Sequence, residues 1–205
     1  MLLFLPVTIL GYFVINKFSY FFAKIYLAAI SMVFYAYAGL PGFQWLVISI
    51  IFNYLVVLLM KRMHNKVILW IGIIFNVVLL FYFKYTNFAI LTINDLLHKS
   101  IPLTKMVLPI GISFFTFQQI AYIVDSYRGK LEKHSLLDYI NYVTFFPKIL
   151  MGPLVSPNVL LVQFHDESKR KISSQNMVDG IQMFIIGLFK KVILADTFAK
   201  AVAWA

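Results

Sequence analysis

Residues 43–83 read FQWLVISIIFNYLVVLLM-KRMHNK-VILWIGIIFNVVLLFYF, and this stretch decides the fold. Two apolar runs, residues 43–60 and 67–83, flank the basic loop at 61–66. A transmembrane helix needs roughly 20 mostly apolar residues, and about 17 are enough. The stretch therefore predicts two consecutive membrane-spanning helices that are joined by a short basic loop.

The flanking sequence extends the same pattern in both directions. The only charge inside the run at 18–39 is Lys24, whose long side chain can reach the membrane surface. A polar stretch at 86–105 separates the fourth apolar run from the fifth. In chain order, the predicted spans are residues 1–15, 18–39, 43–60, 67–83 and 106–124. The predicted fold class is an all-α, polytopic transmembrane helical bundle.

Beyond residue 134 the pattern changes. Ser135 and Asp138 have the spacing of a capping box, which predicts a helix start. The apolar run that follows is too short to span, and prolines and glycines interrupt the chain after it. Residues 136–157 are therefore either a short helix with a surface loop or a re-entrant element, which must be buried in protein or line a cavity.

A last helix is predicted over residues 174–197. Lys190 and Lys191 lie in its middle, where charge at the bilayer centre is costly. The segment is either a tilted interfacial helix or a span whose lysines face protein or water.

Composition supports lipid as the solvent. Hydrophobic residues make up 61% of the 205 residues and charged residues 13%, whereas soluble domains are about half apolar and a quarter charged. The net charge of +10 is concentrated between apolar runs, which is typical of cytoplasmic loops and not of nucleic-acid binding. The absence of cysteine excludes disulfides, thiolate metal sites and a cysteine nucleophile within this sequence.

The basic loops also predict orientation. With the N-terminus outside, Lys17, the loop at 61–66 and the segment around Arg128–Lys133 all fall on the cytoplasmic side. Positively charged loops favour that side. The predicted topology is therefore N-terminus out.

Polar residues inside the apolar helices are the candidate functional residues. Asn53 and Asn76 are interpreted as inter-helix hydrogen-bond partners. Residues 108–130 read LPIGISFFTFQQIAYIVDSYRGK, and helical spacing places four residues on one face: Gly111, Gln118, Tyr122 and Asp125. This face either packs against another helix or forms the wall of a polar cavity, and periodicity alone favours packing.

The spacing of the histidines along the sequence indicates no reaction centre. His64, His98, His134 and His165 fall in polar loops or at their edges, and no two have metal-ligand spacing. Each is interpreted as a solvated residue, no metal site is predicted, and no nucleophile elbow or phosphate-binding loop occurs.

The segment 108–130 nevertheless resembles a signature of the membrane-bound O-acyltransferases. Further matching motifs follow in the right order: FYAY at 34–37, NY at 53–54, YFKY at 82–85, NF at 87–88, LDY at 137–139, FFP at 145–147, GP at 152–153, GLFKK at 187–191 and AD at 195–196. Within the family, the sequence is similar to the alginate O-acetylation branch, with the D-alanyl transfer protein of teichoic acids as a relative.

The resemblance implies a bacterial cytoplasmic-membrane enzyme in which tilted helices surround a thin tunnel. It implies no bound cofactor; the acyl donor, such as acetyl-CoA or an acyl carrier protein thioester, approaches from the cytoplasm as a substrate. The acyl group, which is expected to be acetyl, passes to hydroxyls of an extracellular or cell-envelope polysaccharide. This transfer often involves an extracytoplasmic partner acyltransferase. The tunnel or donor-side candidates are Ser113, Gln118, Asp125, Arg128, Pro147, Gly152 and Pro153.

The family's essential histidine has no counterpart in this sequence. It is expected C-terminal to Ala205, near motifs that do not occur in residues 1–205. The sequence is therefore expected to be a partial member that is inactive alone. The alternative function is a non-catalytic polytopic membrane protein, either transporter-like or a docking fragment.

Overall fold

The computed structural model describes residues 4–131, 134–149, 156–167 and 171–204, and the regular elements in these ranges are helices. In chain order they are α1 (Phe4–Phe18), α2 (Tyr20–Ala38), α3 (Leu40–Met63), α4 (Lys66–Leu97), α5 (Ile112–Tyr127), α6 (Leu136–Thr144), α7 (Phe146–Ile149), α8 (Pro157–His165), α9 (Ser174–Phe189), a π-helical segment (Lys190–Ala195) and α10 (Asp196–Trp204). The chain divides into two compact units, Met1–His165 and Asp166–Ala205.

Among the described residues, three helices are long and apolar enough to cross a membrane. They are Tyr20–Tyr37 within α2, Leu40–Met63 and Lys66–Leu97, while α1 is apolar but shorter. Large apolar side chains on these helices remain exposed, such as Trp70 at 60%, because lipid and not water surrounds them. The protein is a multi-pass membrane protein, and the predicted all-α polytopic bundle is confirmed.

Within the first unit, α5 and α2 each pack against several other helices. Helix α5 contacts α3, α4, α6 and α8, and α2 contacts α1, α3, α6 and α7. The buried core between these helices includes Phe115 and Ile123 of α5 and Tyr139 of α6.

A single residue separates α2 from α3. The sequence predicts a turn over residues 39–42, but the helix resumes at Leu40. Gly39 has a φ of 156°, a conformation that side chains disfavour, and Pro41 lies in the first turn, where its missing N–H costs nothing.

The fourth apolar helix continues well past its predicted end. Residues 86–97 were expected to belong to a polar loop, and this is wrong, because α4 runs to Leu97. The hydroxyl of Thr92 donates to the backbone oxygen of Phe88 at 3.0 Å, which satisfies it within the helix. Asn94 forms two hydrogen bonds of 2.9 Å with the backbone of Ile101, and Asn87 binds Thr104 in the same way at 3.0 Å.

The fifth apolar helix starts later than predicted. The run at 106–124 becomes helical only at Ile112, after Gly111 in the left-handed region at φ 71°. At α6, the capping box is confirmed: Ser135 accepts from the Asp138 N–H while the Asp138 carboxylate accepts from the Ser135 N–H. Residues 150–155 lie outside the described part, so the choice between surface loop and re-entrant element for 136–157 stays a prediction.

The second unit contains the predicted helix over 174–197 in three pieces. The Ser173 hydroxyl caps α9 by accepting from the Asn176 N–H at 3.3 Å. Lys190 and Lys191 fall at the start of the π-helical segment, and Lys191 pairs with Asp196 at 2.8 Å. Whether this unit lies at the interface or spans the membrane remains a prediction.

Candidate functional site

Five polar side chains form a buried amide network between four helices: Ser49 and Asn53 of α3, Asn76 of α4, Gln119 of α5 and Tyr139 of α6. Each of the five is completely buried. Asn76 donates to the side-chain oxygen of Asn53 at 2.6 Å, and Asn53 donates back at 3.2 Å. The prediction that these two asparagines bond across helices is confirmed.

Gln119 completes the buried amide network on the side of α5 and α6. Its side-chain oxygen accepts from Asn53 at 2.5 Å and from the Tyr139 hydroxyl at 3.0 Å. Its amide nitrogen donates to the Ser49 hydroxyl at 3.0 Å. All these groups are neutral, so the network can orient a carbonyl or a hydroxyl but holds no base that titrates near neutral pH.

Aromatic rings extend this region on the side of α6. The ring of Tyr122 lies 4.5 Å from that of Tyr139 and 5.8 Å from that of Tyr142. The Lys148 ammonium lies 4.0 Å from the ring centre of Tyr142, at cation–π distance. Sequence reasoning named Tyr122 on the polar face of α5 but not its partners, since they come from a later helix.

Gln118 is buried beside the network, with 2% of its surface exposed. Its side-chain oxygen makes no hydrogen bond within the described part of the chain, and neither does the Thr116 hydroxyl. Leaving a buried polar atom without a partner costs about 1–3 kcal/mol. Such an atom marks a place where a ligand or water can supply the partner.

The other predicted site residues are more dispersed. Ser113 and Asp125 are half-buried on α5, while Arg128 is exposed at its C-terminal end. Pro147 is half-buried on α7. Gly152 and Pro153 lie outside the described residues, so their pore-shaping role stays a prediction.

The segment before α5 closes against α2 and α3. The Tyr35 hydroxyl donates to the backbone oxygen of Ile110, and a Cβ on Gly42 would lie 3.1 Å from the Cα of Pro109. A cavity of about 130 Å³ lies here, lined by Tyr35, Gly39, Pro41, Gly42 and residues 107–110. The glycine explains the close approach of two backbones, which the sequence motif alone did not show.

A second polar cluster lies around Asp138, at the start of α6. The Lys24 ammonium contacts one carboxylate oxygen at 2.7 Å, and Ser135 donates to the other through its N–H and its hydroxyl. Burial raises the pKa of this carboxyl, but the hydrogen bonds from Lys24 and Ser135 outweigh it, so the net pKa lies below 3.8. Lys24, which lies near the start of α2, therefore forms an ion pair with α6.

Two histidines join the Asp138 cluster, which spacing along the sequence did not predict. The rings of His134 and His165 stack with their centres 5.5 Å apart. Nε2 of His165 lies 3.5 Å from the carboxylate of Asp138. One ligand atom from each of the three residues lies within 4.8 Å of the others, a geometry in which they could hold a metal ion. The contact arises because α8 returns to the start of α6.

Comparison with known proteins identifies the family and several relatives of the chain. Residues 68–203 match the membrane-bound O-acyltransferase family. The chain is 34% identical over 227 aligned positions to the peptidoglycan O-acetyltransferase of Helicobacter pylori, covering 96% of this chain and 43% of that protein. It is 30% identical to the probable alginate O-acetylase AlgI of Azotobacter vinelandii, over 96% of this chain and 40% of that protein.

A shorter similarity involves the probable alginate O-acetylase AlgI of Pseudomonas aeruginosa, at 37% identity over 63% of this chain and 25% of that protein. The chain thus spans less than half the length of these curated relatives. No solved structure matches it. The family match covers α5, α6 and most of α4, which supply Asn76, Gln119 and Tyr139 to the buried amide network. The chain belongs to the membrane-bound O-acyltransferase family.

Proposed function

We propose that the protein is an O-acyltransferase that transfers an acetyl group to hydroxyls of an extracellular or cell-envelope polysaccharide. The observation that carries the proposal is the family match over residues 68–203. The names of these relatives support the acetyl group and the polymer, since both peptidoglycan and alginate are polysaccharide-containing polymers that carry hydroxyls.

In this reaction the acceptor hydroxyl oxygen bonds to the acyl carbon of a thioester. The carbon–sulfur bond breaks, the thiol leaves, and a base takes the hydroxyl proton. The buried amide network holds α3, α4, α5 and α6 together. Beside it, the unpartnered side-chain oxygen of Gln118 can accept a hydrogen bond from the acceptor hydroxyl, which orients that hydroxyl without adding charge to the membrane interior.

The proposal includes direction and partners. The thioester donor, acetyl-CoA or an acyl carrier protein, approaches from the cytoplasm of a bacterium whose inner membrane holds the protein. An extracytoplasmic acyltransferase then completes delivery to the polymer. The basic loop at 61–66 supports the cytoplasmic assignment of that side, because such loops are retained there.

The experiment compares a strain that lacks the gene with one that expresses the full-length protein. Ester-linked acetate is measured on purified peptidoglycan and on secreted polysaccharide after labelling with radioactive acetate. The expected result is acetate that is restored on one polymer only when the protein is present. Equal acetylation with and without the protein, with the protein shown in the membrane, would contradict the enzyme and favour a non-catalytic membrane protein.

Gln118→Ala tests the placement of the site in the same assay. Acetate transfer should fall at least about tenfold, since loss of a group that positions a reactant, with a misplacement of about 1 Å, can cost about 100-fold in rate. Gln44→Ala is the matched control, because Gln44 is exposed on α3 and should leave transfer unchanged. Equal activity of the two variants, at equal membrane levels, would return Gln118 to a packing role.

A further inference from the structure

The cluster of His134, Asp138 and His165 has a composition typical of metal sites. Two imidazoles and a carboxylate are the ligands of many sites for zinc and related divalent ions. One ligand atom from each residue already lies within 4.8 Å of the others. Ligand atoms around a single tetrahedral zinc ion lie roughly 3.3 Å apart. The three side chains therefore need to close by at most about 1.5 Å.

The surroundings of Asp138 hold its carboxylate in one orientation. Lys24 binds one carboxylate oxygen at 2.7 Å, which leaves the second oxygen, Oδ2, on the side of His165 at 3.5 Å. Oδ2 also accepts from the N–H and the hydroxyl of Ser135, at 3.0 and 2.7 Å. Partners of this kind, which bind the ligand and not the metal, orient ligands at metal sites.

The outer of the two imidazoles, that of His165, lies at the surface. The side chain of His165 is 45% exposed at the last residue of α8, whereas that of Asp138 is 3% exposed. A rotation of the outer ring toward the fixed carboxylate therefore meets little packing. The hydroxyl of Tyr20 donates to the backbone oxygen of Phe164, which holds the end of α8 beside α2.

We propose that His134, Asp138 and His165 bind a divalent transition-metal ion of the zinc class, with water at the fourth position. The ion ties the residue before the N-cap of α6 to the last residue of α8. It thereby closes the segment from 134 to 165, and a cross-link that closes a long loop stabilises the folded state. The role of the ion is structural, because none of the three residues that bind it belongs to the buried amide network.

The test measures metal binding directly and does not depend on acyl transfer. Full-length protein in detergent is stripped with a chelator, and zinc uptake is then determined by elemental analysis and by competition with a zinc-binding dye. The wild type should hold one zinc ion more than His134→Ala and His165→Ala. Each variant should lose at least about 100-fold in affinity for this ion, the upper end of the loss seen when only an outer partner is removed.

His98→Asn is the matched control. His98 is exposed and ends α4 in the left-handed region at φ 47°, which asparagine adopts readily, so zinc uptake should equal that of the wild type. In the same samples, the chelator should lower the melting temperature of the wild type and of His98→Asn but not of His165→Ala.

Cobalt supplies a second readout at the ion itself. The wild type with Co²⁺ should show the intense visible absorption of a four-coordinate site, and His165→Ala should lack it. Equal zinc uptake and equal cobalt spectra in the wild type and both alanine variants would overturn the proposal. So would a wild-type protein that melts cooperatively yet binds no ion at this cluster.

Discussion

At the scale of single residues, close packing between helices depends on where side chains are absent. A Cβ on Gly72 of α4 would lie 2.9 Å from Val56 of α3 and 3.1 Å from Ile123 of α5. Both neighbours are branched and buried, so neither can turn away freely. Gly72 is thus the point where three helices meet, and its backbone oxygen also accepts from Asn76 at 2.8 Å.

Gly72→Ala should therefore lower stability by up to about 2 kcal/mol. Overpacking a tight core costs about 1–3 kcal/mol, and the better helix propensity of alanine returns only about 1 kcal/mol. Thermal unfolding in detergent measures the change.

Gly180→Ala is the control for Gly72→Ala. An added Cβ on Gly180 of α9 meets nothing within 4 Å in the described structure, so only the helix propensity remains and stability should rise or stay level. Equal effects of the two substitutions would refute the close approach at Gly72.

At the scale of helices, polar pairs determine which elements meet. Lipid gives little hydrophobic drive between helices, so hydrogen bonds and close packing hold a bundle together. The Asn53–Asn76 pair joins α3 to α4, Gln119 adds α5, and Tyr139 adds α6. The capping box of α6 brings Asp138 to Lys24 and so joins α6 to α2.

A double-mutant cycle on Asn53 and Asn76 tests this interpretation. Asn53→Leu alone leaves the amide of Asn76 with fewer partners, and each single substitution should cost about 1–3 kcal/mol. The double variant should cost less than the sum, with a coupling of about 0.6–2 kcal/mol, the range of hydrogen bonds between membrane helices. Reversible unfolding in detergent or by steric trapping supplies the four free energies. Purely additive values would show that the two side chains do not interact.

At the scale of the whole molecule, the length of α4 bears on the topology. Its 32 residues extend about 48 Å at 1.5 Å per residue, while the hydrocarbon core is about 30 Å thick. We therefore expect the end of α4 beyond the predicted span at 67–83 to project from the bilayer. The asparagines of this end bind the segment at 101–104.

The predicted orientation places opposite ends of α4 on opposite sides of the membrane. These 205 residues contain no cysteine, so single cysteines introduced at Lys66 and Lys99 add unique thiols to this part of the chain. A membrane-impermeant maleimide added to intact spheroplasts should label Lys99→Cys and spare Lys66→Cys until the membrane is opened. Labelling of Lys66→Cys alone from outside would reverse the topology.

The amino-acid sequence was enough to predict a membrane protein, a helical fold and a family resemblance, because the length of apolar runs and local motifs are properties of contiguous residues. It also predicted that Asn53 and Asn76 hydrogen-bond between helices, since an amide in lipid needs a partner, and the structure shows that they bond to each other. The sequence pattern selected Gln118 of α5 as the candidate, but Gln119 lies at the centre of the buried amide network. Adjacent helix residues point about 100° apart, so only the packing of the helices determines which of the two glutamines faces the network.

The contacts between distant segments could be seen only in the folded structure. Lys24 meets Asp138 and His134 meets His165 because α2, α6 and α8 converge at one end. The extension of α4 through residues 86–97 likewise depends on asparagine side chains that find the backbone of a later segment. Such contacts are fixed by the packing of helices far apart in sequence, and neither periodicity nor composition contains that information.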